Sequence, residues 1–242
     1  MKHLILGSAA LALTAGMALA ESHGTMVRLG TEGAYPPYNF IDDSGEVAGF
    51  ERVLGDELCK RAELTCEWVT NDWDSIIPNL VSGNYDAIIA GMSITDERDE
   101  VVDFSQNYTP PSPSSYAAAS EDADIEAGVI AAQTGTIQAA HIAETGATLL
   151  EFPSPDETVS AVTSGEADAV LADKDFLIPF TEDGTLVFVG DDVPLGGGIG
   201  MAFRESDPEL REKFDAAIQS MKDDGTLNAM IKEHLGEDSP AF

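Results

Sequence analysis

Two stretches of this chain echo each other, and the echo constrains the fold more than any other feature. Residues 80–91 read LVSGNYDAIIAG and residues 162–173 read VTSGEADAVLAD. Each carries S-G-x-x-D-A, then two apolar residues and Ala. Read locally, this is a helix end, a Gly stop and a short buried strand. Shared helix-end and strand chemistry alone produces such a pattern. The sharper reading is two similar α/β lobes.

The flanking residues predict what each lobe contains. Residues 26–30 form a strand pattern that runs into a Gly/Pro/Tyr loop over 30–39. Phe50, Val53, Leu54 and Leu58 fall at i, i+3, i+4 and i+8, which is one helix face. Residues 66–69 read as the next strand, Ile76, Ile77 and Leu80 as a second helix stopped by Gly83, and 86–90 as a buried strand. The second set runs strand 128–132, helix 136–144 and strand 149–152. Then Ser154-Pro155-Asp156-Glu157, a cap with Pro at the first position and Glu at the third, opens a helix ending near Gly165. Residues 168–172 are again a buried strand. Strand–helix alternation of this kind makes a mainly parallel sheet covered by helices.

Two crossings join the sets. Pro110, Pro111 and Pro113 forbid a helix and favour extended chain, and a second Gly/Pro-rich stretch spans 190–200. The chain is expected to leave lobe one, build lobe two and return, with tail helices over about 207–223 and from Gly225 to about 235 packing on lobe one. The expected boundaries are 21–110 plus 197–242 for lobe one, 114–190 for lobe two, and 109–114 and 190–196 for the crossings. Ligands in open α/β sheets sit beyond the carboxyl ends of the strands. Two facing lobes on two connecting strands therefore make a cleft with a hinge.

Residues 1–20 read as a secretory signal peptide: Lys2 and His3, an apolar stretch over 4–17, and Ala18-Leu19-Ala20 before a cut after Ala20. No Cys stands at the cut, and the rest has no apolar run of about 18 residues. An exported product without membrane insertion is expected, most simply in a bacterial periplasm. There Cys59 and Cys66 should form a disulfide. With 44 acidic against 12 basic residues and a net charge of −32, the chain lacks the cationic footprint that nucleic acids or anionic membranes require. The acids are spread along the chain, as on a solvated surface.

No dinucleotide, P-loop, nucleophile-elbow or zinc-protease motif occurs, and no Cys is left as a nucleophile. Polar residues gather instead at the predicted strand ends. Glu32, Tyr35 and Tyr38 follow the first strand. Ala90-Gly91-Met92-Ser93 follows the third, and Thr95 caps a short helix that carries Arg98. Gln133-Thr134-Gly135-Thr136-Ile137-Gln138 is a Gly-containing turn at a helix start, where free amides suit an anion. Asp173 follows the last strand. An anion-binding Arg, a helix start and a cation-binding Asp are the parts a zwitterion needs. The residues alone also allow plainer roles. Arg98 stands among Asp96, Glu97, Asp99 and Glu100, Asp173 could cap the following helix, and Trp73 could be core.

The stretches GTEGAYPPYNF (30–40), GFERVLGDELCKRAELTC (49–66), DAIIAGMSITDERDEVVDFS (86–105), QTGTIQ (133–138) and DAVLAD (168–173) give the chain a specific resemblance. It resembles the periplasmic solute-binding proteins for polar amino acids, family 3 of the bacterial extracellular solute-binding proteins. The likeness extends to the lysine/arginine/ornithine-, histidine-, octopine- and nopaline-binding members. The resemblance implies a type II periplasmic-binding-protein fold, α/β in class, with two lobes that close on a ligand for an inner-membrane ABC permease. It implies a monomer without metal or cofactor, and no catalysis. Arg98 would pair with the ligand α-carboxylate, with Thr136 and the amides around Ile137 completing that site. Asp173 would hold the α-ammonium. Gly91, Met92 and Ser93 would lie along the head group, and Gln138 at the site or behind it. Tyr35 and Trp73 would sandwich the side chain, and Glu32 would face its far end, favouring a cationic amino acid or an opine made from one. Ala90 and Gly91 stand where lysine- and arginine-binding relatives have Ser, and Ile137 where Thr is common. The alternatives are a binder of neutral polar amino acids and a dehydratase of the cyclohexadienyl type on the same fold.

Overall fold

The computed structural model describes residues 26–242. The signal-peptide reading of residues 1–20 lies outside the described residues. In chain order the elements begin with β1 (Met26–Thr31), β2 (Ala34–Tyr35), β3 (Asn39–Ile41), β4 (Val47–Ala48), α1 (Phe50–Arg61) and β5 (Thr65–Thr70). A 3-10 turn at Trp73–Ser75 leads into α2 (Ile76–Val81), β6 (Ala87–Ile88), α3 (Asp96–Asp99) and β7 (Asp103–Phe104). The second set is β8 (Ser114–Ala118), β9 (Val129–Gln133), α4 (Ile137–Ala143), β10 (Thr148–Phe152), α5 (Pro155–Ser164), β11 (Ala169–Asp173), α6 (Lys174–Glu182) and β12 (Val187–Val193). The chain ends with β13 (Ala202–Phe203), α7 (Pro208–Asp223) and α8 (Thr226–Leu235).

These elements build two five-stranded sheets, ordered β5-β1-β6-β13-β7 and β10-β9-β11-β8-β12. In each, four strands run parallel, as strand–helix alternation favours, and the one strand that follows a crossing, β13 in the first sheet and β8 in the second, runs antiparallel to its neighbours. The fold is therefore α/β with two lobes of the type II periplasmic-binding kind. The echoed stretches occupy matching places. Ile88 of β6 pairs with Gly30 of β1, and Val170 of β11 with Ala131 of β9. Gly91 and Asp173 are thus equivalent residues at equivalent strand ends. Strand β12 runs to Val193, which pairs with Ser114, so the second sheet reaches past residue 190.

Local sequence explains the elements. Ser154 and Glu157 form a reciprocal capping box with Pro155 in the first turn of α5, as the sequence predicts. Helix α1 buries Phe50, Leu54 and Leu58 completely, each contributing roughly 1.5–3 kcal/mol by burial. Val53, expected on that face, is 40% exposed. The helix turns Gly55 toward the sheet instead, because the Trp68 ring lies where a Cβ on Gly55 would come within 2.7 Å. Cys59, on the buried side of α1, is bonded to Cys66 on β5. Apolar clusters cover both faces of each sheet, and α7 and α8 close the first one through Phe214, Ile218, Leu227 and Ile231. Among the described residues no helix is long and apolar enough to cross a membrane.

Candidate functional site

The two sheets point the carboxyl ends of β1, β6, β9 and β11 at one cavity. Ten of the eleven residues expected at the site line it: Glu32, Tyr35, Trp73, Gly91, Ser93, Arg98, Thr136, Ile137, Gln138 and Asp173. Met92 does not. Its side chain is fully buried and packs with Ile76 and Leu80 in the first-lobe core.

Arg98 sits in α3, whose start is capped by Thr95 accepting from the Arg98 amide at 3.2 Å. Its Nη1 donates to the Ser93 carbonyl at 2.9 Å and its Nη2 to the Gly135 carbonyl of the other lobe at 3.2 Å. The guanidinium carbon lies 5.3 Å from the Trp73 ring centroid, a cation–π arrangement. Among the described residues no carboxylate forms an ion pair with it, so the acidic neighbours in α3 do not claim this charge. Burial lowers its pKa to about 10, and Asp173 and Glu97 raise it, so Arg98 stays cationic at neutral pH.

Asp173 enters from the second lobe at the end of β11. It precedes α6 without capping it through its side chain. Its carboxylate is held by the Tyr35 hydroxyl at 2.9 Å and by Gln138 Nε2 at 2.8 Å. Burial raises it to about 6, against the lowering effect of the Tyr35 and Gln138 bonds and of Arg98. Gln138 thus stands behind Asp173 as well as at the cavity wall.

Glu32, also in the cavity lining, accepts from Gln133 Nε2 at 2.6 Å. Burial raises its pKa to about 7, partly offset by that bond. The resulting wall bears two acceptors and suits a ligand group rich in donors. Both aromatic residues, Tyr35 and Trp73, line the cavity. Tyr35 stacks on Phe176 at 4.7 Å, nearly parallel, and Trp73 carries Arg98 on its ring. Thr136 spends its hydroxyl locally, donating to the Gln133 carbonyl at 2.7 Å and accepting from the Ala139 amide at 3.2 Å as the cap of α4. The four bonds Tyr35–Asp173, Tyr38–Asp175, Gln133–Glu32 and Arg98–Gly135 cross between the lobes. Among the described residues no group of three or more His, Cys, Asp or Glu is placed to hold a metal ion.

Residues 27–237 match the bacterial extracellular solute-binding proteins, family 3. The chain belongs to this family. Among its family 3 relatives, an L-arginine-binding protein of Pseudomonas aeruginosa is 35% identical, the match covering 88% of each chain. The lysine/arginine/ornithine-binding periplasmic protein of Escherichia coli is 31% identical over 93% of this chain and 95% of its own. A crystal structure of a periplasmic His/Glu/Gln/Arg/opine family-binding protein from Silicibacter pomeroyi, in complex with lysine, superposes with a TM-score of 0.88. It is 72% identical, over 89% of this chain and all of that one.

The cavity also contains residues that the sequence did not single out. Pro155, Thr158, Leu171 and Ala172 line it, and Phe176 stacks on Tyr35. Pro155 was legible only as a helix start, and its place at the cavity follows from the turn between β10 and α5. Gln133 was part of a quoted motif, yet its bond to Glu32 spans 101 residues and no local pattern encodes it.

Proposed function

We propose that this protein captures a cationic amino acid (lysine, arginine, ornithine or histidine) or an opine derived from one, and delivers it to an inner-membrane ABC permease. The observation that carries the reading is one pair of charges. Arg98 on one lobe and Asp173 on the other line the same cavity, and Arg98 has no carboxylate partner of its own among the described residues. An α-carboxylate at Arg98 and an α-ammonium at Asp173 pair both charges with one zwitterion. Because the pair is split between lobes, such a ligand favours the closed arrangement. Residues 21–110 with 197–242 would move against 114–190 about the two crossings. Glu32, with Gln133 beside it, supports a cationic side chain, as does the 72% identity to a protein solved with lysine. The working form is a periplasmic monomer that begins at Glu21 after cleavage, binding without chemical conversion.

A thermal-shift series of the mature protein against the twenty amino acids, ornithine, citrulline and opines tests this. A ligand at about 100 times its Kd adds roughly 2.7 kcal/mol, or about 5–10 °C for a chain of this size. Shifts confined to cationic amino acids and their opines support the whole reading. Shifts with neutral or acidic amino acids alone remove Glu32 as the side-chain reader. Consumption of prephenate or arogenate would replace binding by the dehydratase reading, for which the raised carboxyls of Glu32 and Asp173 would serve as acids.

A further inference from the structure

Behind the cavity lies a charge that the binding reading leaves unused. Glu51, in the first turn of α1, is fully buried and lines no part of the cavity. Its Oε1 accepts from the Gly91 amide at 2.6 Å and from the Tyr108 hydroxyl. Its Oε2 accepts from Asn39 Nδ2 at 2.7 Å. Asn39, also fully buried, accepts the Gly33 amide on Oδ1 at 2.7 Å, and this bond fixes which way its amide points. Tyr108 is fully buried too, and its own amide donates to the Ile199 carbonyl at 2.8 Å.

Each end of this network is a working position. Gly33 adjoins Glu32, which lines the cavity. Gly91 is the equivalent of Asp173 and has φ of 61°, a conformation a side chain rarely adopts. Tyr108 and Ile199 flank the two crossings, where Thr109 and Ile199 bridge. One carboxylate therefore joins the side-chain wall, the head-group wall and the base of the hinge. All the groups facing Glu51 are donors, which suits an acceptor-only carboxylate. Burial pushes its pKa up, while the bonds from Tyr108, Gly91 and Asn39 pull it back.

We propose that Glu51 is the positioning residue that fixes both first-lobe walls of the cavity, holding Gly91 directly and the Glu32 loop through Asn39. The inference rests on the amino-acid reading for its effect on affinity, though its effect on the two amides stands apart from it. Hydrogen-bond polarity makes the inference specific. Glu51→Gln presents an NH2 group to the NH2 of Asn39, so either that bond fails or Asn39 turns over and loses Gly33. The swap Asn39→Asp with Glu51→Gln restores every donor–acceptor pair. Gln at 51 accepts from Gly91 and Tyr108 and donates to Asp at 39, which accepts from Gly33.

The test uses the full mature protein as wild type, Glu51→Gln, Asn39→Asp and the swap. Amide exchange at Gly33 and Gly91 is followed by NMR, with calorimetry against L-lysine and L-glutamine. In Glu51→Gln the Gly33 amide should exchange about tenfold faster and lysine affinity should fall about tenfold, with a smaller loss for glutamine. In the swap, exchange and the lysine-to-glutamine ratio should both return to within about threefold of wild type. A residue that only stabilises the fold would lower the melting temperature without moving that ratio. Wild-type exchange and ratio in Glu51→Gln, or a swap as impaired as the two single changes combined, overturns the proposal. If Glu51→Gln does not fold, the swap alone decides, and a swap that fails to fold also counts against the proposal. If the wild type binds neither amino acid, the amino-acid reading fails, and recovery or non-recovery of Gly33 exchange in the swap still decides the role of Glu51.

Discussion

Gln133 of the second lobe donates to Glu32 of the first at 2.6 Å, and this bond joins two residues that are 101 positions apart. It crosses between the lobes in the cavity lining. A group that extends the ligand toward Glu32 meets a carboxylate whose pKa burial has raised to about 7.

That value sets a pH window. The Glu32 carboxyl lies above its ordinary value of 4.5, so burial favours its protonated form, and the stability this contributes is lost as pH rises toward 7. A cationic ligand group favours the ionised form. Lysine binding should therefore release a proton from Glu32 below about pH 7, which adds to affinity by up to about tenfold per unit of pH and levels above 7, on top of the dependence through Asp173. Glutamine should show only the Asp173 dependence, levelling near 6. Calorimetry in buffers of different ionisation enthalpy measures the released proton for each ligand.

Glu32→Gln should weaken lysine and arginine by about tenfold or more and leave glutamine within about threefold. Equal losses for all three would mean that Glu32 does not read the side chain. The comparison needs only titration of the purified variant.

Arg98→Ala and Asp173→Ala should each cost roughly 2–5 kcal/mol in affinity, because each leaves one charge of the bound zwitterion buried without a partner. Arg98→Lys should recover little, since an ammonium lacks the forked donors of the guanidinium. Near-native Kd values in both alanine variants would displace the assigned head-group site.

Breaking the disulfide separates two functions of the first lobe. Cys59 and Cys66 close a short loop away from the cavity lining. Replacing both with Ser should lower unfolding stability by about 2–3 kcal/mol and leave lysine affinity unchanged. Urea unfolding and titration of the same sample give both numbers.

Much of this site was legible because its parts are local. Thr95 before an acid-rich turn marks where Arg98 must stand, and the echoed motif brings Gly91 and Asp173 to matching strand ends. What the sequence hid is long-range or depends on which face a residue takes. Met92 lies between two site residues and points into the core. Val53 fits the helical period, yet the bulk of Trp68 beside Gly55 turns it outward. Asn39, Glu51 and Tyr108 carry no local signal of the bonds that the fold makes among them. Tyr35 reaches Asp173 across 138 positions, a relation without any local signal.

The order β5-β1-β6-β13-β7 has a consequence for how the chain is made. Strand β7 has no neighbour in its sheet except β13, which comes from the far end of the sequence. A chain that emerges from its amino terminus can finish the uninterrupted second lobe, from Ser114 to Val193, while the first still lacks a strand. Although the first lobe starts earlier, it is completed last, once Ala202 and Phe203 arrive to pair with β6 and β7.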